Sequence, residues 1–178
     1  MKIVDLKCAV IGENPLVRIV TDEGIDGYGE VESYKPYLTW HVLHLKPALI
    51  GEDPTNVERV MRKIRQRGGF KPWGSAVSAI EMALWDLAGK AAGLPVYKLL
   101  GGKVRDRVRV YNGAVRFPIN GYGQAESLSG ELLRHQDGDC LPHGNGNGLL
   151  GLAALVQVCA ALPDNYIAFE YPVGKPAW

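Results

Sequence analysis

Over residues 1–33 the apolar positions fall in short runs, MKIVDLKCAVI, PLVRIVT and then GYGEVES, with β-branched side chains dense in the first two. GENP separates the first run from the second, and DEGID, with its turn formers Gly24 and Asp26, separates the second from the third. β-Branched runs interrupted by turn chemistry predict a three-stranded antiparallel meander. A helical period follows. Val57, Val60, Met61 and Ile64 lie on one helical stripe, opened by Asp53 and Pro54 as an N-cap with proline in the first turn and stopped by Gly68 and Gly69. This predicts a helix over 54–67.

A longer helix is predicted over 76–92, in SAVSAIEMALWDLAGKAAG, where Val77, Ile80, Ala83, Leu84, Leu87 and Ala91 share a face. Ser75 or Ser78 can cap it, and Ser78 with Glu81 has capping-box spacing. Alanines at 76, 79, 83 and 88 would let another element approach closely, and Gly93 and Pro95 end the helix. Past LLGGK, VRVYNGAV (108–115) reads as a strand, with Arg105, Arg107 and Arg109 to one side and valines to the other. Residues 121–151 hold eight glycines, scattered charges and no sustained period, the signature of a loop or poorly ordered stretch. LLGLAALVQVCAAL is then a nearly all-apolar helix and YIAFEY a short strand, and the chain stops at KPAW as though cut.

Composition narrows the class. The 178 residues fit one domain or two small ones, and an apolar fraction of 47% suffices for a core. A formal net charge of +1 gives no pull toward nucleic acid or an acidic membrane surface. Cys8, Cys140 and Cys159 are odd in number and far apart, as reduced thiols would be. Asp5 and Lys7 interrupt the N-terminus too early for a signal-peptide core, and no apolar run reaches spanning length. A cytoplasmic location is the expectation.

The segment GSAVSAIEMALWDLAGKAAGLPVYKLLGG (74–102) resembles the last helix of the capping domain in the mandelate racemase/muconate lactonizing family, part of the enolase superfamily. VRIVTDEGIDGYGE and DPTNVERVMRKIR are similar to the same domain. The resemblance implies an α+β N-terminal capping domain over 1–105 and, over 106–178, an incomplete (β/α) barrel remnant. In CLPHGNGNGLLGLAALVQVCAALPDNYIAFEYP it resembles the seventh strand's exit, the helix after it and the eighth strand. The chain beyond residue 105 is far shorter than the roughly 250 residues of a whole barrel. An irregular junction at about 119–140 is therefore expected, from gene decay, a frame error or engineering.

The resemblance also implies chemistry. Such enzymes abstract the proton alpha to a carboxylate and stabilise the enolate on Mg²⁺, a superfamily pattern with a Lys or His base. Three strand-end acids usually hold the metal and a K-x-K pair supplies a base. No K-x-K exists in the sequence, and after Gly121 only YIAFE reads as a strand ending in an acid. One carboxylate does not satisfy the near-octahedral oxygen shell of Mg²⁺, so no metal site and no tightly bound cofactor are expected. His143, in PHGNG, matches a family base position, and Glu170 a glutamate that hydrogen-bonds the substrate carboxylate; these are the catalytic candidates. Tyr34 and Lys35, after the third strand, and Lys71 and Trp73, in FKPWG, are candidates to meet an anionic substrate. Each also has a plain structural reading: a histidine in a glycine loop, a solvated strand-end acid, surface lysines. The basic run Arg59, Arg62, Lys63, Arg65, Arg67 reads as a solvated helix face.

GNGLLG (146–151) matches the dinucleotide fingerprint G-x-G-x-x-G, and Glu170 falls about twenty residues further on, where a ribose-binding acid would sit. The fingerprint requires a buried strand running into its first glycine. HQDGDCLPHGN is polar and contains Pro142, so it cannot be that strand. The glycines are better suited to a tight turn and a helix N-terminus beside a substrate carboxylate. The sequence therefore predicts a portion of a racemase, epimerase, cycloisomerase or acid-sugar/amino-acid dehydratase, inactive as this chain and acting in its parent family on a small carboxylate. A non-catalytic interaction or oligomerisation module is the alternative, and dinucleotide binding a third. The all-apolar helix over 149–162 predicts self-association into a homo-oligomer.

Overall fold

The computed structural model describes residues 1–33, 35–66, 74–111, 148–162 and 168–170. The meander is present. β1 (Ile3–Ile11), β2 (Asn14–Thr21) and β3 (Asp26–Glu30) form one antiparallel sheet in that order. Gly12, at φ +63°, and Gly24, at φ +77°, take the left-handed conformation that the two turns require. In β2 the alternation is strict, and Val17, Ile19 and Thr21 face the core. In β1, Ile3 and Leu6 are both buried although three apart, because the register slips between Ile3 and Asp5 and brings both inward.

Helices cover one face of the sheet. Between β3 and the first predicted helix the chain makes a 3₁₀ turn (Pro36–Leu38) and two short helices, α1 (Thr39–His44) and α2 (Lys46–Leu49). These add Leu38, Val42, Ala48 and Leu49 to the core. α3 spans Val57–Gln66 and buries the predicted stripe, Val57, Val60, Met61 and Ile64. It starts later than residue 54. The Asp53 carboxylate accepts from the Thr55 amide at 2.9 Å and hydroxyl at 2.7 Å, which holds a turn ahead of the helix. The first helical carbonyl is that of Asn56, which receives the Val60 amide.

α4 runs Gly74–Ala92, so Ser75 and Ser78 both lie inside it and the Ser78–Glu81 capping box does not form. Ala91 belongs to its exposed end, while Ala76, Ala79, Ala83 and Ala88 are buried. These alanines meet the glycines of β3. A Cβ on Gly29 would stand 2.8 Å from the carbonyl carbon of Ala79, and one on Gly27 would stand 2.6 Å from Leu87 Cγ. Helix and strand therefore pack backbone against backbone, which only glycine permits. Polar contacts fix the register: the Asp86 carboxylate accepts the Tyr28 amide at 2.9 Å, and Lys90 donates to the Asp26 carbonyl at 2.8 Å.

α5 (Val96–Leu99) and the turn through Gly101 and Gly102 lead to β4 (Val110–Tyr111). After the undescribed stretch, α6 (Leu149–Ala161) and β5 (Phe169–Glu170) follow. β4 and β5 pair in parallel, Val110 opposite Phe169 and Tyr111 opposite Glu170. The expectations of a strand continuing to residue 115, a junction at 119–140 and a loop before Gly148 lie outside the described residues.

Candidate functional site

The end of β3 is where the two parts of the chain meet. Glu30 is only 6% exposed, and no salt bridge to it occurs among the described residues. Neutral donors compensate the carboxylate instead. Asn14 Nδ2 donates at 2.5 Å, the Gly148 amide donates to Oε1, and the Leu150 and Gly151 amides donate to Oε2 at 3.1 Å each. The last three are the free N–H groups of the first turn of α6, a helix whose own N-cap residue, Gly148, provides no side chain. The carboxylate thus caps that helix from across the fold and sits at the positive end of its dipole. Asn14 also donates to the Val31 carbonyl at 3.3 Å and accepts the Ser33 hydroxyl at 3.1 Å, so the acid is held from the meander side as well.

This arrangement corrects one expectation. GNGLLG does open a helix, but the carboxylate at its N-terminus is the protein's own Glu30, not a substrate's. Glu30, Asn14 and Ser33 were not among the sequence candidates. The readable signal was a helix start with neither a capping side chain nor an acid in its first turn, which leaves several donors to be met from elsewhere.

Of the sequence candidates, Lys35 is described. It makes an ion pair with Glu32, whose Oε2 also accepts the Ser75 hydroxyl at 3.0 Å. The loop after β3 and the first turn of α4 are thereby joined. Tyr34, Lys71, Trp73 and His143 lie outside the described residues. The backbone of Glu170 stands at the end of β5, opposite Tyr111. Among the described residues no three His, Cys, Asp or Glu side chains converge as a metal site.

A cavity of about 690 Å³ opens between α4 and α6, lined by Met82, Trp85, Leu94, Leu150, Ala153 and Val158 among others. Glu81 lies on its edge, 3.6 Å from Arg65. Burial pushes the Glu81 carboxyl above the usual carboxylate range, against the opposing pull of Arg65. On β1, the Lys46 ammonium beside Asp5 holds that carboxyl below the usual range. Among the described residues no helix is long and apolar enough to cross a membrane.

An antiparallel meander with helices packed on one face, followed by a parallel strand pair, defines a capping domain joined to barrel-type elements. Residues 9–101 match the mandelate racemase/muconate lactonizing enzyme N-terminal domain. The chain belongs to that family, within the enolase superfamily. It is 46% identical over 101 residues to a D-galactonate dehydratase of Verminephrobacter eiseniae, covering 53% of this chain and 26% of that protein. It is 36% identical over 160 residues to the D-galactonate dehydratase family member RspA of Halomonas elongata, covering 84% of this chain and 37% of the relative. An enolase structure from Agrobacterium radiobacter, bound to sodium and L-malate, aligns with a TM-score of 0.59 and 39% identity over 63% of this chain and 31% of its own. A mandelate racemase/muconate lactonizing enzyme-like protein from Rubrobacter xylanophilus aligns over 94% of this chain and 53% of its own, at a TM-score of 0.56 and 28% identity. The chain spans between a quarter and two-fifths of the length of those two curated relatives.

Proposed function

We propose that this chain carries the capping portion, over 1–105, and barrel elements, over 106–178, of an enolase-superfamily enzyme that removes the proton alpha to the carboxylate of an acid sugar. Dehydration is the favoured reaction within the racemase, cycloisomerase and dehydratase group. The observation that carries the reading is the 46% identity to a D-galactonate dehydratase over 101 residues. The parallel pairing of β4 with β5 supports it, because the first and last strands of a closed parallel barrel are neighbours. In this reading His143 takes the α-proton and Glu170 hydrogen-bonds the substrate carboxylate. Tyr34, Lys35, Lys71 and Trp73 face the anionic substrate from the cap.

Mg²⁺ is the metal implied by the family. The described residues do not bring together a ligand set for it. Stabilising an enolate dianion takes a metal or several preorganised donors. A lone histidine base provides on the order of a hundred-fold, far below enzymatic rates. We therefore assign no turnover to these residues acting alone. The protein works apart from nucleic acid and membranes, in the cytoplasm, and as a homo-oligomer. A second reading, a non-catalytic interaction module, draws on the exposure of Leu149, Val156 and Val158 on α6.

A chimera tests the first reading. Residues 1–105 replace the corresponding segment of the Verminephrobacter eiseniae D-galactonate dehydratase, and keto-acid formation from D-galactonate is followed. Activity within about a hundred-fold of the parent is expected, the margin that an ångström of misplacement costs. A soluble, folded and dead chimera would overturn the assignment. For the chain itself, incubation with Mg²⁺ and D-galactonate in D₂O is expected to yield no keto acid and to leave the α-carbon unlabelled. Keto acid carrying deuterium at C3, or labelling of the α-carbon, at an enzyme-like rate that disappears in His143→Asn would refute the claim of no turnover.

A further inference from the structure

α6 has no charged residue of its own: LLGLAALVQVCAA contains Gln157 as its single polar side chain. An apolar helix of this length, without a cap or charges at its ends, is marginal as an independent unit. Both of its poles are nonetheless met by charges of the favourable sign, and both charges come from residues before 106. At the N-terminus the Glu30 carboxylate takes the Gly148, Leu150 and Gly151 amides. At the C-terminus Arg105 Nη1 donates to the Cys159 carbonyl at 2.5 Å, and the Val104 amide donates to the Ala160 carbonyl at 2.8 Å. Between them the Tyr97 amide donates to Gln157 Oε1 at 3.2 Å.

We infer that Glu30 and Arg105 form a two-ended clamp that makes the folding and the docking of α6 a single event, and so fixes its register on the capping domain. Each charge opposes the helix dipole at its own end, so a helix docked in reverse would bring like signs together at both ends. The steric fit at the N-terminal end is equally restrictive. A Cβ on Gly148 would stand 2.9 Å from Glu30 Cδ, so the carboxylate reaches the amides only because residue 148 has no side chain. Arg105 leads into β4, and α6 into β5, so the clamp also sets the parallel pair that places Tyr111 opposite Glu170. Glu30 and Arg105 are on this account positioning residues. The bearing on Glu170 rests on the function proposed above, whereas the clamp itself does not.

Hydrogen exchange on the full chain, read by mass spectrometry, tests the clamp without any readout of activity. In Glu30→Gln and Arg105→Gln the amides of 149–161 are expected to exchange roughly ten-fold faster or more, as loss of a buried charged cap implies. β1 and β2 should keep their protection. In Glu30→Ala, added acetate is expected to restore protection of 149–161, since a small carboxylate can refill the vacated position, while leaving Arg105→Gln unchanged. Gly148→Ala, which acts from the helix side, should reproduce the Glu30→Gln pattern. Unchanged exchange of α6 in the Gln variants would overturn the inference. So would acceleration spread evenly over the sheet and α4, or Glu30→Ala protection that ignores acetate.

Discussion

Gly29 and Ala79 touch through their backbones, and a Cβ on Gly29 would stand 2.8 Å from the Ala79 carbonyl carbon and 3.2 Å from the Ala83 nitrogen. Neither neighbour is the end of a flexible side chain, so nothing can give way without moving α4 off the sheet. Gly29→Ala is expected to cost about 3 kcal/mol or more, at the upper end of overpacking penalties. Gly74→Ala is the control, because among the described residues no atom outside its own helix turn lies within 4 Å of its Cβ position and its φ is not positive. It should stay within about 0.5 kcal/mol of the parent. Urea denaturation followed by circular dichroism measures both, and equal midpoints would show that the helix and strand are less tightly engaged than described.

What the sequence conveyed well were elements with a sustained period. The β-branched run in PLVRIVT marks a strand, and the stripe of Val57, Val60, Met61 and Ile64 repeats often enough to fix both element type and buried face. The alanines of 76–92 even announced the close approach that Gly27 and Gly29 accept. α1 and α2 were not legible. They are six and four residues long, the second with Pro47 in its first turn, and are held by burial of Val42 and Leu49 rather than by local signals. The start of α3 shifted because Asp53 spends its carboxylate on Thr55. Of the candidate site, Lys35 is placed, on Glu32 and beside Ser75, and Glu170 is placed by its backbone. Glu30 escaped notice for a physical reason: the helix amides that it caps are 118 to 121 residues away, beyond any local pattern.

Glu81 gives a pH dependence with a definite sign. Burial raises its folded carboxyl above the ordinary value of 4.5, so the folded protein holds this proton more tightly than the unfolded chain does. Its contribution to stability is therefore fully present below that ordinary value and is lost as pH rises through the raised folded value. Glu81→Gln removes the loss. At neutral pH the variant should melt roughly 1–3 °C higher than the parent, with the gap closing on acidification. A variant that melts lower at pH 7 would mean that the Arg65 ion pair outweighs the burial cost.

The thiols should separate by burial. Cys159 has no solvent exposure, whereas Cys8 is half-buried and its thiol is pushed up by burial, with the Thr39 hydroxyl pulling the other way. In a Cys140→Ser background, a disulfide reagent at pH 8 is expected to modify Cys8 more slowly than a free thiol, since the thiolate is the reacting form. Cys159 should react only when denaturant releases α6. Fast modification of Cys159 in native buffer would show that α6 leaves its docked position readily.

The last prediction concerns GNGLLG and nicotinamide nucleotides. A dinucleotide fingerprint works because the helix that follows offers unpaired amides and the positive end of its dipole to a pyrophosphate. Here those amides belong to Gly148, Leu150 and Gly151, and all three donate to Glu30. A pyrophosphate would have to expel a buried carboxylate and leave Asn14 without the acceptor that it meets at 2.5 Å. Sharing the helix end is no easier, since two anions there repel one another where burial weakens screening. NADH titrated into the chain should therefore give flat fluorescence anisotropy, with no saturation below about 1 mM. A saturable signal with a Kd under about 100 µM that Glu30→Gln or Gly148→Ala altered would refute this account, because the nucleotide would then be reaching the end of α6 despite Glu30.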